Sequence, residues 1–423
     1  MKKIIHTSLI VLAGHMAAQS IGNSPYAAFG LGDLKYDNTA ETSAMAGIST
    51  AYIWDFNNSF NFNNPAANGN LELTSFKIQV NNENQFLKSD IQNLDVTQHS
   101  TYLSNISLAF PISQKVKFGI AYQPYSSKRY NIISKKEDAN GVVQGNAFYG
   151  EGTVNTIQSG IGYQITPEFA LGLRTNFYFG KISDIEELAL SNAELINGFE
   201  TSRKVKSWNF TLGSTYQKKL ARDRKLTAGA TYTFGKIGKM ETSYTNSTYY
   251  YIGNDKANQS IIATEDYQEN NLIPQKASLG IGYGQDAKWF ISTQFDYAKG
   301  GNIQFTGIPV TSNDSYRIAV GGWYLPNYNN FRNFFSRVIY RYGAYYEKGH
   351  LNLNGTNINE YGLTFGATLP FQNSSIMKMS GIDVGIDIGN RGGLKNSLIS
   401  ERFVNFKIGL NFADKWFTKR QYD

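Results

Sequence analysis

The sequence predicts an all-β fold, a transmembrane antiparallel β-barrel of about 14 strands with an N-terminal plug. Beyond Leu71, apolar residues recur at every second position in segments of roughly ten residues, which is typical of strands with one lipid-facing side. The links between these segments alternate between short turns and long polar loops. Because lipid cannot satisfy backbone polar groups, a closed barrel is one of the few structures that can span a membrane.

The composition agrees with a membrane barrel and argues against several other classes of protein. The 423 residues include 28 Tyr, 27 Phe and no Cys, and the formal net charge is +7. Aromatic residues in such numbers suit the aromatic girdles of outer-membrane barrels. No Lys- or Arg-rich run stands out, so nucleic-acid binding is not indicated. Without Cys there is no thiolate metal site and no disulfide framework.

The N-terminus predicts export from the cytoplasm. Met1 to Lys3 form a positively charged start, and residues 4–18 are a short, mostly apolar stretch. This is the pattern of a secretory signal peptide, which we assign to residues 1–19, with cleavage after Ala18 or Gln19. An exported barrel belongs in the outer membrane of a bacterium, which it crosses many times.

The remaining chain divides into three predicted parts. Residues 20–70 are rich in Asn, Gly and Ala and lack strand periodicity, so we expect a plug that fills the barrel from the periplasmic side. The barrel follows at 71–413, and a periplasmic tail at 414–423. The predicted strands are 71–80, 100–110, 115–125, 153–165, 169–180, 205–217, 225–236, 274–284, 288–298, 315–325, 334–346, 358–369, 379–390 and 400–412.

A soluble β-sandwich or β-helix would show the same alternation of apolar and polar residues. The signal peptide, the alternation of loop lengths and the aromatic content favour the membrane barrel instead. An even number of strands places both ends of the barrel in the periplasm, which fits an N-terminal plug and a C-terminal tail.

The residues before the first strand resemble the plug of a known family. Gly30-Leu31-Gly32, the Ala-Gly stretch at 44–47 and Asn64-Pro65-Ala66 are similar to elements of FadL-type (OMPP1/FadL/TodX) outer-membrane transport proteins. The opening at 24–32 and the ending at 414–417 resemble the Bacteroidota branch of that family. The resemblance implies that Asn64, Pro65 and Ala66 form the plug motif, and that small hydrophobic compounds such as long-chain fatty acids diffuse through the plugged barrel.

Two further features fit this resemblance. After the fifth strand, Ser183 and Glu186 have the spacing of a capping box, and Ile185, Leu188 and Leu195 can share one helical face. The resemblance implies a loop helix that binds cargo; an ordinary helical loop over the barrel mouth explains the pattern equally well.

The second feature is Pro124, near the end of the third strand. Proline removes a ladder hydrogen bond. The resemblance implies a distorted strand that lets cargo leave sideways into the bilayer. A proline that simply marks the upper end of the strand is the alternative.

Charges on the predicted lumen face depart from what a fatty-acid conduit needs. Mutually paired charges would hold the plug and the walls together, and we favour this interpretation over a polar permeation path or a carboxylate site at Arg337 and Arg341. The more apolar half, residues 153–234, is the better candidate for a hydrophobic route. The predicted lumen charges are Asp296, Arg317, Arg337, Arg341, Glu360, Asp383, Asp387 and Lys407.

The leading functional prediction is an outer-membrane transporter or channel for small hydrophobic compounds. The alternative is a non-transport barrel, a subunit or cargo shuttle of a secretion or assembly machine, as in PorV-like members of the resembled family. The expected partners are outer-membrane lipid, hydrophobic small molecules and other outer-membrane or periplasmic proteins, with no nucleic acid.

We do not expect an enzyme. Only His99 and His350 remain after signal cleavage, and we interpret each as a solvated loop residue rather than part of a catalytic site. No metal-ligand spacing occurs, so no metal and no cofactor are predicted.

Overall fold

The computed structural model describes residues 24–35, 39–53, 59–90, 94–139, 141–235, 238–270, 272–300, 310–353, 355–371 and 380–415. One helix, α1, covers Ala40–Ser43. The strands are β1 Asp33–Leu34, β2 Thr74–Ser89, β3 Leu94–Pro111, β4 Val116–Ser127, β5 Tyr130–Glu137, β6 Val143–Gln164, β7 Phe169–Leu190, β8 Ile196–Lys219, β9 Arg224–Thr233, β10 Lys239–Ile252, β11 Asp255–Asn270, β12 Lys276–Gln285, β13 Trp289–Ala298, β14 Val310–Ser312, β15 Ser315–Tyr324, β16 Ile339–Leu353, β17 Thr356–Pro370, β18 Gly381–Gly392 and β19 Ser400–Asp414.

A closed antiparallel barrel of 14 strands forms the body of the protein, as predicted. Each strand pairs with its neighbour, and β19 returns to pair with β2 from Ser400↔Lys88 to Asp414↔Thr74. The barrel strands are β2, β3, β4, β6, β7, β8, β9, β12, β13, β15, β16, β17, β18 and β19. No helix among the described residues is long and apolar enough to cross a membrane.

The two faces of the barrel wall follow the alternation in the sequence. In β7, Leu171 and Leu173 are exposed on the outer face, while Arg174 and Asn176 are buried on the inner face. Successive side chains of a strand point to opposite faces, so an apolar–polar alternation produces a lipid-facing surface and a polar lumen.

Several strands continue far beyond the membrane at the end with the long connections, which is the extracellular end of such barrels. β6 and β7 have 22 residues each and β8 has 24, whereas about 9–11 residues are enough to span a bilayer. The outer halves of these strands join β5, β10 and β11 in the order β5–β6–β7–β8–β10–β11. We call this six-stranded extension the outer sheet.

The predicted loop helix after the fifth strand is wrong. Ile185 and Leu188 lie in β7, and Leu195 lies in the turn before β8. The outer half of β6 presents a complete ladder to this segment, from Gln144↔Leu190 to Gly152↔Ile182. Pairing on both sides of the strand outweighs the local helical pattern, because helix propensity is a weak preference that tertiary context overrides.

The predicted boundaries at the two ends of the chain remain predictions. The signal peptide at residues 1–19 lies outside the described residues, and so does most of the tail, from residue 416 onward.

Candidate functional site

The N-terminal residues before β2 lie inside the barrel. We call the described residues 24–35, 39–53 and 59–73 the N-terminal segment. Met45 and Ile48 are fully buried in a cluster with Trp323 and Ile339 of the barrel, and Phe60 packs against Ala109 of β3. The segment therefore packs against opposite parts of the wall.

Polar contacts fix the backbone of the N-terminal segment to the wall. The Gln294 side-chain oxygen accepts the Ser49 and Thr50 N–H groups, each at 2.9 Å. The Thr364 hydroxyl accepts the Ala46 N–H at 2.9 Å and donates to the Ala44 carbonyl at 3.1 Å. These bonds satisfy buried backbone groups that would otherwise cost about 1–3 kcal/mol each.

The Asn64-Pro65-Ala66 motif lies against β7 and β8. The Asn64 amide donates to the Thr50 carbonyl at 2.6 Å and to the Ser214 carbonyl of β8 at 3.1 Å, and its oxygen accepts the Ala66 N–H at 3.1 Å. Glycines make this approach possible. A Cβ on Gly172 would lie 2.4 Å from the Ala66 nitrogen, and one on Gly213 would lie 2.2 Å from the Asn64 oxygen.

A buried charged network joins α1 to the barrel wall. The Lys77 ammonium of β2 contacts the Glu41 carboxylate and lies 3.8 Å from Asp383 of β18. The Thr368 hydroxyl donates to Asp383 and accepts from Arg341, each at 2.5 Å. The Lys77, Glu41 and Asp383 side chains are 1–4% exposed, so the network is sealed from water.

A second charged network lies closer to the extracellular mouth. Asp33 of β1 pairs with Lys35 at 2.9 Å and with Arg391 of β18 at 2.7 Å. Lys35 also pairs with Glu83 of β2 at 2.7 Å, and Arg391 lies 3.7 Å from Glu360. This network ties the start of the N-terminal segment to strands on both sides of the barrel closure.

Most of the predicted lumen charges face the interior and have partners there. Arg317 lies 3.6 Å from Asp296 and donates to the Ala46 carbonyl at 3.0 Å. Asp387 accepts from the Tyr345 hydroxyl at 3.5 Å, and Lys407 donates to the Ser43 hydroxyl at 2.6 Å.

Arg337 is the exception among the predicted lumen charges. It lies in a 3-10 turn, Phe334–Arg337, before β16 begins, and not on the strand face where the prediction placed it. Its guanidinium stacks over the rings of Tyr328 at 4.9 Å and Phe331 at 4.6 Å. Only the strand assignment was wrong here, because the predicted strand extended into the turn; the Arg337 side chain is buried.

The sequence reasoning missed the charges contributed by the N-terminal segment and by β2. Glu41, Asp33 and Lys35 belong to a segment without strand periodicity, so no face could be assigned to them. Lys77 had a usable signal, because it lies between Phe76 and Ile78 on the opposite face of a predicted strand.

Pro124 lies where β3 and β4 separate. Pairing between the two strands ends at Ile106↔Tyr122, and the register of β4 against β6 shifts between Pro124 and Ser126. Above this point β1 pairs with β4 instead, with Leu34↔Ser126, and the Lys35 N–H donates to the Tyr125 carbonyl at 2.8 Å. The N-terminal segment thus contributes a short strand beside the place where the wall opens.

Two small cavities lie between the N-terminal segment and the wall. One, of about 140 Å³, is lined mainly by polar and charged residues, among them Glu83, Glu360 and Arg391. The other, of about 200 Å³, has an apolar side that includes Phe29, Leu31, Leu34, Leu272 and Pro274. Both are smaller than the roughly 300–1,000 Å³ of a typical ligand pocket.

His350 lines both cavities. It belongs to β16 and is not the solvated loop residue that the sequence predicted. Among the described residues, no group of three or more His, Cys, Asp or Glu side chains is arranged to hold a metal ion.

The outer sheet has its own polar cluster, beyond the part of β7 that spans the membrane. The Glu187 carboxylate accepts hydrogen bonds from Tyr149, Tyr249 and Tyr251 at 2.5–2.7 Å, and the Lys256 ammonium lies 4.0 Å away. Burial by itself would raise the pKa of Glu187, but the three hydroxyl donors and Lys256 hold that pKa below its ordinary value. The cluster joins β6, β7, β10 and β11.

Solved structures of hydrocarbon channels share this fold. The Pseudomonas putida toluene transporter TodX aligns with a TM-score of 0.61 and 17% identity, over 90% of this chain and 99% of that chain. A Pseudomonas aeruginosa FadL homologue gives 0.61 and 13%, over 90% and 99%. The CymD monoaromatic hydrocarbon channel gives 0.59 and 13%, over 90% and 98%. The resemblance to FadL-type proteins is therefore confirmed for the fold.

The same comparison supports the predicted location, a multi-pass barrel of the outer membrane. No match was found among curated protein sequences. The profile of one family, BamG, matches residues 1–423. This family is not the one that the plug motifs suggested, although the two share a barrel fold. The chain belongs to the BamG family.

Proposed function

We propose that this protein is a protein-binding subunit of an outer-membrane secretion or assembly machine, and that it does not work as an open conduit. The observation that supports this function is that the N-terminal segment is fixed to the barrel wall inside the lumen. The N-terminal segment, with the Asn64-Pro65-Ala66 motif as its plug, is joined to the wall through buried ion pairs at two levels, around Lys77 and around Asp33.

The buried ion pairs between the N-terminal segment and the wall oppose movement of the segment. Removing one partner of a buried ion pair costs about 3–5 kcal/mol, because the other charge stays buried without compensation. Sliding the N-terminal segment out of the barrel would separate Glu41 from Lys77 and Asp33 from Arg391 together. A transport cycle that displaced the segment would have to overcome both costs, whereas a binding subunit uses the barrel as a rigid support.

The outer sheet adds a surface that fits a binding role. It extends about 11 residues beyond the membrane on β6, β7 and β8, which corresponds to roughly 35 Å of strand. A hydrophobic-compound channel has no need for such a continuous sheet, whereas a subunit that meets other proteins outside the membrane does.

Purification from native membranes in mild detergent tests this function. We expect the protein to copurify with another outer-membrane or periplasmic protein at constant stoichiometry through two chromatographic steps. A barrel of comparable size from the same membranes, tagged in the same way, is the control. A solitary monomer under conditions that preserve other complexes would contradict the proposal.

A second candidate is uptake of small hydrophobic compounds. It is supported by the apolar side of the second cavity around Leu31 and Leu272, and by the separation of β3 from β4 at Pro124, which would serve as a lateral exit. Long-chain fatty-acid-like compounds would be the cargo, and the cavity of about 200 Å³ would have to widen to admit them. A deletion strain that took up labelled hydrophobic compounds as fast as its parent would count against this candidate.

A further inference from the structure

The outer sheet ends in a long strand with one unpaired side. β11 has 16 residues and pairs with β10 along its length. Among the described residues no other strand pairs with it, so its second edge presents backbone N–H and C=O groups to water. Nearly all its side chains are exposed, on both faces of the sheet.

Long exposed edge strands are uncommon on protein surfaces, because they pair readily with strands of other chains. Natural proteins protect them with lysines, prolines or short strands. β5, at the other end of the outer sheet, follows this rule: it has eight residues and carries Lys135 and Lys136. β11 has twice that length and no proline, and its one lysine, Lys256, lies near the start of the strand over the Tyr249 ring.

The side chains of β11 combine apolar and acidic character at its centre. Ile261 and Ile262 are 63% and 59% exposed, and Ile262 is the extra residue of a β-bulge, because Asn246 pairs with Ala263 and Ser247 pairs with Ile261. Glu265 and Asp266 follow within four residues, and neither forms an ion pair with another described residue. Because successive side chains of a strand point to opposite faces, the edge offers an exposed apolar pair followed by one carboxylate on each face of the sheet.

We propose that the free edge of β11 binds an extended segment of a protein partner by strand addition. The partner segment carries lysine or arginine where it faces Glu265 and Asp266, and β-branched residues where it faces Ile261. Backbone hydrogen bonds supply the binding, and the side chains select the segment, as in other cases of β-augmentation. The inference rests on the proposed function and identifies the surface through which that function operates.

Synthetic peptides provide the direct test. The probe is a fluorescent ten-residue peptide of valine and threonine with two successive lysines at its centre, one for each face of the sheet, and the comparison peptide has glutamate at each lysine position. The full chain in detergent is titrated with each peptide, and amide hydrogen exchange is measured on the complex. We expect the basic peptide to bind at least tenfold more tightly, and the added protection to fall within residues 259–269.

Variants then separate the edge from the rest of the outer sheet. Glu265→Lys with Asp266→Lys reverses the charges without touching the pairing with β10, and we expect it to weaken the basic peptide at least tenfold. Ile133→Lys on β5 is the matched control, because Ile133 is 57% exposed on the opposite edge, and it should leave binding within twofold. Equal binding of both peptides, protection outside β11, or burial of β11 in a self-associated dimer would each overturn the proposal.

The native complex distinguishes failure of the inference from failure of the proposed function. If a partner copurifies with the native chain and is lost from the Glu265→Lys, Asp266→Lys variant, both stand. If the partner copurifies equally with the variant, the β11 inference fails and the binding function survives. If the native chain has no partner, the proposed function fails.

Discussion

Lys77→Met is the substitution that tests the buried ion pairs between the N-terminal segment and the barrel. Methionine keeps most of the volume of the lysine stem and removes its charge. Glu41 and Asp383 then share a site in which their side chains are 4% and 1% exposed, with no ammonium between them. Removing one partner of such a buried pair costs about 3–5 kcal/mol, so we expect the free energy of unfolding to fall by that amount.

The assay is urea unfolding of the barrel in lipid vesicles, followed by tryptophan fluorescence. Lys204→Met is the matched control, because Lys204 pairs with Glu241 at 3.3 Å on the surface, where the two side chains are 66% and 70% exposed. An exposed pair contributes about 0–1 kcal/mol. Adding Glu41→Gln to Lys77→Met should recover part of the loss, because one uncompensated carboxylate disappears. A loss for Lys77→Met no larger than that for Lys204→Met would refute the reasoning.

Two further outcomes follow from the structure. Gly213→Val would place a Cβ 2.2 Å from the Asn64 oxygen, so we expect a loss of about 1–3 kcal/mol in the same unfolding assay. Gly393→Val is the control, because a Cβ on Gly393 would have no neighbouring atom within 4 Å. Because the pKa of Glu187 is lowered in the folded protein, its ionised carboxylate stabilises the folded outer sheet. This stabilisation is complete above the ordinary carboxylate pKa and is lost as the pH falls through the lowered pKa. Hydrogen-exchange protection of β10 should therefore decrease on acidification, and Glu187→Gln should abolish that pH dependence. If the variant showed the same pH dependence as the native protein, the role given to Glu187 would be contradicted.

The strand pattern was predictable because lipid imposes a strict rule on the barrel wall. Outward residues such as Leu171 must be apolar and inward residues such as Arg174 need not be, so the period of two appears in the sequence. Every predicted strand has a counterpart in the barrel. The outer sheet escaped prediction in part because its edge strand β11 is exposed on both faces and therefore lacks the alternation.

For the lumen, the sequence predicted the charges of the barrel wall but not those of the N-terminal segment that lies inside it. The charges on β13 to β19 were visible because their strands were visible. Asp33, Lys35 and Glu41, which belong to the two buried networks, lie in a segment whose fold depends on the barrel around it. The segment 183–190 shows the opposite error. Its local pattern favours a helix, and only the long-range ladder with β6 makes it a strand.

Electrical conductance of the purified full-length protein in a planar lipid bilayer tests the central claim most directly. If the N-terminal segment closes the lumen through the networks around Lys77 and Asp33, single inserted barrels will show no steady conductance at moderate voltage in 1 M KCl. Stable, ohmic single-channel conductance from the native chain would contradict the account, because it would require a continuous aqueous path past the segment.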